Sequence, residues 1–280
     1  MNALLRTLRP TYCIANHEFT RVMKAPLVYT VLGILFVMAV LSGYYWSYQV
    51  SMANHSISYY DYALRGLGNT VYFNAMFLSI VALSIGVLSI MEDRARSSIS
   101  VLLTKPVYRR DIILGKFFGL SAFMFLLAAF VSIMDLAVLM MFNSGPVPIG
   151  DCVLRLVTII VLLTLECSIT ICITMLAGLV LKNLLAVVSL VVTWFFVIWY
   201  AGNYLESVLG NLAVLISPEL LFMMIMLGYS HVGSSEVVRL TESSNSYSLW
   251  LGCVLPFIIV MILEPFVLTA VNCMIFTREE

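Results

Sequence analysis

Six times along the chain an apolar run reaches the roughly 20 residues that a helix needs to cross a hydrocarbon core about 30 Å thick. In that solvent an unpaired backbone N–H or C=O is too costly to leave open, so each run must be helical. The spans are predicted at about 27–47, 71–91, 112–142, 153–181, 184–204 and 249–276. The first ends in Tyr44, Tyr45, Trp46 and Tyr48, an aromatic cluster suited to the membrane interface. The third is long enough to tilt or project, and Asn143-Ser-Gly-Pro-Val-Pro stops it sharply, making spans three and four an adjacent hairpin. Composition agrees: 62% of the 280 residues are hydrophobic and 11% charged, against about a quarter charged in a soluble domain, so no water-soluble surface is available.

Between spans five and six a further apolar stretch, 208–229, is interrupted by Ser217-Pro218-Glu219. Proline removes a backbone donor and disfavours helix just before it, which points to two half-helices of a re-entrant hairpin rather than a seventh span. Upstream of span one, Ala15, Phe19, Val22 and Met23 share one helical face, with Glu18, Arg21 and Lys24 elsewhere around it, the pattern of an amphipathic interfacial helix. Roughly 25 mixed polar residues precede the first apolar run, which is longer than a signal-peptide core, so no cleavable secretory signal is expected. The expected fold is an all-α integral membrane protein, a single domain over 1–280. It has six transmembrane helices, an N-terminal interfacial helix over 1–26 and an outer re-entrant hairpin and loop over 205–248.

Orientation follows from Lys and Arg, which are retained on the cytoplasmic side. Twelve basic residues, among them Arg6, Arg21, Lys24, Arg94, Lys116, Lys182 and Arg278, fall on one set of loops, and only Arg65, Arg155 and Arg239 on the other. Both termini are predicted cytoplasmic in a multi-pass cell-membrane protein, with outer loops at 49–70, 143–152 and 202–248. The Asn54-His-Ser sequon lies outside, a weak signal of glycosylation. The 15 Lys and Arg balance the 15 Asp and Glu, so no charge excess points to nucleic acid.

Three acids lie well inside spans: Asp135, Glu166 and Glu264. An ionised carboxylate there costs roughly 2.5–3.5 kcal/mol on insertion scales, so each must face protein or water. They line a substrate path or form a proton or cation relay, or else they hold helices together by hydrogen bonds. Glu264 precedes Pro265, whose missing donor frees a nearby carbonyl. The six cysteines contain no CxxC pair and read as small hydrophobes. Met223, Met224 and Met226, among sixteen methionines, read as flexible apolar filling or as soft-metal ligands. His17, His55 and His231 all lie outside the spans, which weakens a metal-dependent or histidine-assisted intramembrane hydrolase.

The segment 91–111 is dense in charge yet carries Ile99, Leu102 and Leu103 at helical spacing. It reads either as a short exposed helix with an apolar docking edge or as a basic loop touching anionic headgroups. Leu114-Gly115-Lys116-Phe117 is no P-loop, because residue 110 is Arg rather than Gly and no Ser or Thr follows the lysine. Gly115 and Gly119 form a GxxxG that permits close helix contact. Taken together, Glu92, Ser97-Ser98-Ile99, Leu102-Leu103, Pro106, Arg109 and Gly115-Lys116 resemble the signature of the type-2 ABC exporter permease family. That family places Gly and Thr where Ser97 and Ser98 stand. The amphipathic segment before span one and the Ser217-Pro218 break are similar to the family's interfacial helix and outer hairpin.

The resemblance implies a membrane-spanning subunit of an ATP-driven exporter. It would be paired with a second copy or a homologous permease and coupled to a separate ABC ATPase subunit that holds ATP and magnesium. The chain itself would bind no cofactor and would not be an enzyme. Glu92, Arg94, Arg96, Ile99, Leu102, Leu103, Pro106 and Arg109 would form the ATPase-coupling element, and Asp135, Glu166 and Glu264 would belong to a substrate path. An intramembrane enzyme and a non-transporting subunit, signalling or mechanical, are the alternatives.

Overall fold

With so little charge to present to water, the chain buries its few polar side chains inward and turns apolar side chains outward. A computed structural model describes residues 2–52, 62–95, 109–142, 149–181, 183–209, 217–228, 238–242 and 244–278. Among these residues there are eight helices and no strand: α1 (Asn2–Met23), α2 (Pro26–Met52), α3 (Tyr62–Ala95), α4 (Arg109–Phe142), α5 (Ile149–Val180), α6 (Leu184–Leu209), α7 (Pro218–Leu227) and α8 (Tyr247–Arg278). Five contain stretches long and apolar enough to cross a membrane: Pro26–Gln49, Leu64–Glu92, Arg110–Phe142, Ile149–Val180 and Tyr247–Phe276. They correspond to predicted spans one to four and six. Predicted span five falls within α6, whose apolar stretch Leu184–Tyr200 is shorter.

The centre of the bundle is α3, α4 and α5. In the apolar windows of α3 and α5, 67% and 61% of residues are buried, against 28% in α2 and 17% in α8. The outer helices therefore offer Phe36, Leu41, Leu185, Phe266 and Val267 to an apolar surrounding, as lipid requires.

α1 is docked on α4 more closely than an interfacial helix needs to be. Side chains added at Gly115 or Gly119 would meet Ile14 and the Ala15 carbonyl at 2.7 and 2.5 Å, so this GxxxG is spent on seating α1. Val22 is buried and Met23 exposed. Glu18, which the apolar-face count places away from the contact, is also buried, because α4 supplies a partner for its charge. Pro26 opens α2 after Lys24 and Ala25, a first-turn position where its missing N–H costs nothing.

Short α7 is sharply capped. Ser217 is its N-cap, accepting from the Leu220 N–H at 3.2 Å, and Pro218 begins the helix. Gly228, at φ 61°, ends it, and a side chain there would run into the Val238 carbonyl. The Leu240 N–H donates to the Met226 carbonyl at 3.3 Å, and the fully buried Trp250 donates its Nε1–H to the Ile225 carbonyl at 2.9 Å. The C-terminal end of α7 is thereby tied to the start of α8. Its first turn lies beside Thr170 and Thr174, past the midpoint of α5. A 10-residue helix of about 15 Å thus starts inside the bundle and ends at the level where α8 begins.

Candidate functional site: a column of cavities along α3

Polar side chains on α3 face inward at intervals. Asn74 and Ser79 are 1% and 0% exposed, and each is matched to an acid on a neighbouring helix. The Asn74 Nδ2–H donates to Asp135 Oδ2 on α4. The Ser79 hydroxyl donates to Glu166 Oε1 on α5 at 2.9 Å. These bonds join the three central helices at mid-bundle depth, where partner groups are scarce and an unmade bond is costly.

Beyond Ser79 the packing opens. A cavity of about 210 Å³ lies between α3, α5, α6 and α7, with Glu166, Glu219, Tyr72, Trp199 and Met223 on its walls. Tyr72, Trp199 and Met223 also line a second cavity of about 420 Å³ that extends to Tyr45 and Trp46 on α2. Tyr72, Trp46 and Asn69 are in turn shared with a third, of about 160 Å³, which Arg65, Arg239 and Glu242 also line. Shared walls make a column along α3. Acids mark its deep end and arginines the other, with aromatic side chains between.

The three predicted path residues are not brought together. Glu166 is fully buried and lines the deep cavity. Asp135 is engaged by Asn74 away from that cavity. Glu264 sits on α8 next to Pro265, whose carbonyl accepts from the Cys172 thiol at 3.7 Å, on the α5–α8 contact. Glu219, quoted in the sequence only as part of the helix break, is the second carboxylate of the deep cavity. A polar residue inside span two, Asn74, was the available signal for the α3 pairings. Met223 is on the wall of the deep cavity and Met226, though buried, on that of the third, whereas Met224 is packed into the core.

At the other end of α3 a charge network surrounds α1. Lys116 of α4, 3% exposed, donates to Glu18 Oε1 at 2.6 Å and to the Ser89 carbonyl at 3.0 Å. Arg21 pairs with Glu18 at 2.7 Å and with Glu92 of α3 at 3.6 Å. Glu92 begins the predicted coupling segment and Lys116 follows it, so described residues at both of its ends are held to α1. Within the segment, Arg96, Ile99, Leu102, Leu103 and Pro106 lie outside the described residues, as do the side chains of Arg94 and Arg109.

Near the start of α5, Arg155 is buried. It pairs with Asp151 at 2.7 Å and donates to the carbonyls of Leu240, Glu242 and Asn245, the last two at 2.9 and 2.7 Å. Arg65 lies 3.8 Å from Glu242. The segment after α7 is fastened to the bundle by these contacts.

A bundle of long apolar helices with buried polar pairings and an aromatic-walled cavity column defines a multi-pass helical membrane protein. The chain belongs to the ABC-2 transporter family: the family model described as "ABC-2 family transporter protein" matches residues 12–280. It is accordingly a permease of the ABC transporter type, and proteins of this family are membrane subunits that generally lack an ATP site of their own. Comparison with individually curated proteins gives no match.

Proposed function

We propose that the chain is the membrane-spanning subunit of an ATP-driven exporter, with hydrolysis on a separate ABC ATPase and the cavity column along α3 as part of the substrate path. The observation that carries this is the continuity of that column from Glu166 and Glu219 to Arg65, in a chain of a transporter family. The whole of 1–280 acts as one permease domain, with 1–26 as the cytoplasmic interfacial helix and 91–111 as the coupling loop. Residues 205–248 are the outer re-entrant hairpin and loop. α6 is the fifth of the six spans, and α7, starting mid-bundle behind an N-cap and a proline, is the returning arm of the hairpin. Glu92, Arg94, Arg96, Ile99, Leu102, Leu103, Pro106 and Arg109 dock the ATPase, and two permeases, identical or homologous, complete the transporter. Asp135 and Glu264 stiffen the helices around the path, and Glu166 faces it.

Purification of the tagged protein from its native membrane in mild detergent, with mass spectrometry of co-purifying chains, tests this reading. A near-stoichiometric ABC ATPase and vanadate-sensitive ATP hydrolysis are expected. Reproducible absence of both from well-folded protein would overturn it.

A further inference from the structure

The deep cavity carries an electrostatic imbalance inside the bundle. Glu166 is fully buried, and its Oε1 is held by Ser79. Its Oε2 has no hydrogen-bond partner among the described residues, and neither does the buried Oε2 of Glu219 across the same cavity. Among the described residues no Lys, Arg or His lines this cavity. A buried carboxylate oxygen without a donor is costly. Asp135 Oδ1 and Glu264 Oε2 are likewise buried without a donor, but among the described residues Glu166 and Glu219 are the two such carboxylates that line one cavity. Glu219 is in the first turn of α7, where the helix N-terminus offsets part of a negative charge, but Glu166 in mid-helix has no such help. A cation placed between the two would serve both oxygens at once.

The remaining walls say which kind. Tyr72 and Trp199 present aromatic rings, Met76 and Met223 adaptable thioethers. Aromatic faces favour a large, weakly hydrated cation, whereas a small metal ion needs more oxygen donors than two carboxylates and a serine hydroxyl already donating to Glu166 provide. The larger cavity adjoining through Tyr72 and Trp199 has an apolar lining and gives room for a hydrophobic body. From this geometry we infer that the deep cavity binds a lipophilic organic cation, an amine or quaternary ammonium. Its charge lies between Glu166 and Glu219 and its apolar part against Tyr72 and Trp199.

This inference rests on the transport reading for its physiological meaning, but it is tested by binding alone. Radiolabelled benzyltrimethylammonium is equilibrated with the full chain in nanodiscs, with empty nanodiscs as the blank and neopentylbenzene, its uncharged isostere, as competitor. Saturable binding is expected that the isostere does not displace. It should weaken by about tenfold or more in Glu166→Gln and Glu219→Gln and by about threefold in Trp199→Leu. Asp151→Asn, whose carboxylate lies at the start of α5 outside the cavity, should leave it unchanged. Each variant is checked for a monodisperse peak, and Trp199→Leu, which removes no buried charge, serves if a glutamate variant does not fold. Binding equal to empty nanodiscs, binding indifferent to these substitutions, or displacement by low-millimolar sodium or potassium would overturn the assignment. Because no ATPase is needed, loss of the cation site in a preparation that still co-purifies an ATPase would sink this inference alone. Cation binding without an ATPase would sink the transport reading alone.

Discussion

Lys116 shows what a single residue hides from its sequence. Counted along the chain it is one of the positives that orient the protein, beside a glycine that matches a family signature. Folded, it is a buried ammonium between Glu18 and Ser89. Glu18 is 98 positions away, so no local pattern joins the two, and the helical periodicity of α1 alone assigns Glu18 to the polar side. The same limit applies to Asp135 and Glu166: their cost in an apolar span was readable, but their partners Asn74 and Ser79 depend on how α3 is turned. Removing one member of a buried pair strands the other. Here Arg21 still pairs with Glu18, so Lys116→Met is expected to lower stability by about 1–3 kcal/mol, read as loss of thermal stability in detergent. Adding Glu18→Gln to it should restore part of that loss, and a double variant as unstable as the sum of the singles would show that the pair does not couple.

At the scale of elements, α1 is tied to described residues at both ends of the predicted coupling segment 91–111. Glu92 of α3 and Lys116 of α4 are both tied to α1, through Arg21 and Glu18. Replacing Leu102 and Leu103 together by Asp is expected to abolish coupled ATP hydrolysis while membrane insertion and yield remain normal. ATPase co-purification and hydrolysis at wild-type level in that variant would remove the segment from the coupling role. α7 was the most readable of the smaller elements, because Ser217 and Pro218 carry N-cap and first-turn chemistry in their own side chains. The seating of α1 was the least readable: Gly115 and Gly119 announce a close contact but not which helix makes it.

For the whole molecule, span order and the inward turn of polar groups follow from apolar run length and from the few charges, both of which are local counts. The cavity column is not a local property. It arises where α6 and α7 stand off from α3 and α5, and no segment contains more than a part of its wall. Sidedness is a whole-chain prediction, resting on the twelve-to-three distribution of basic residues. A reporter fused after Glu280 is expected to be protected from external protease in intact cells, while a cysteine placed at residue 146 is labelled by an impermeant maleimide. A reporter exposed outside would require either an odd number of crossings or the opposite orientation of the whole chain. Arg155 adds something of a different kind. It grips the segment after α7 by main-chain carbonyls at Leu240, Glu242 and Asn245, and a carbonyl is the same whatever side chain it bears. The backbone at these three positions is therefore held whatever side chains they bear, so a substitution at Asn245, which gives Arg155 only its carbonyl, leaves the grip of Arg155 in place.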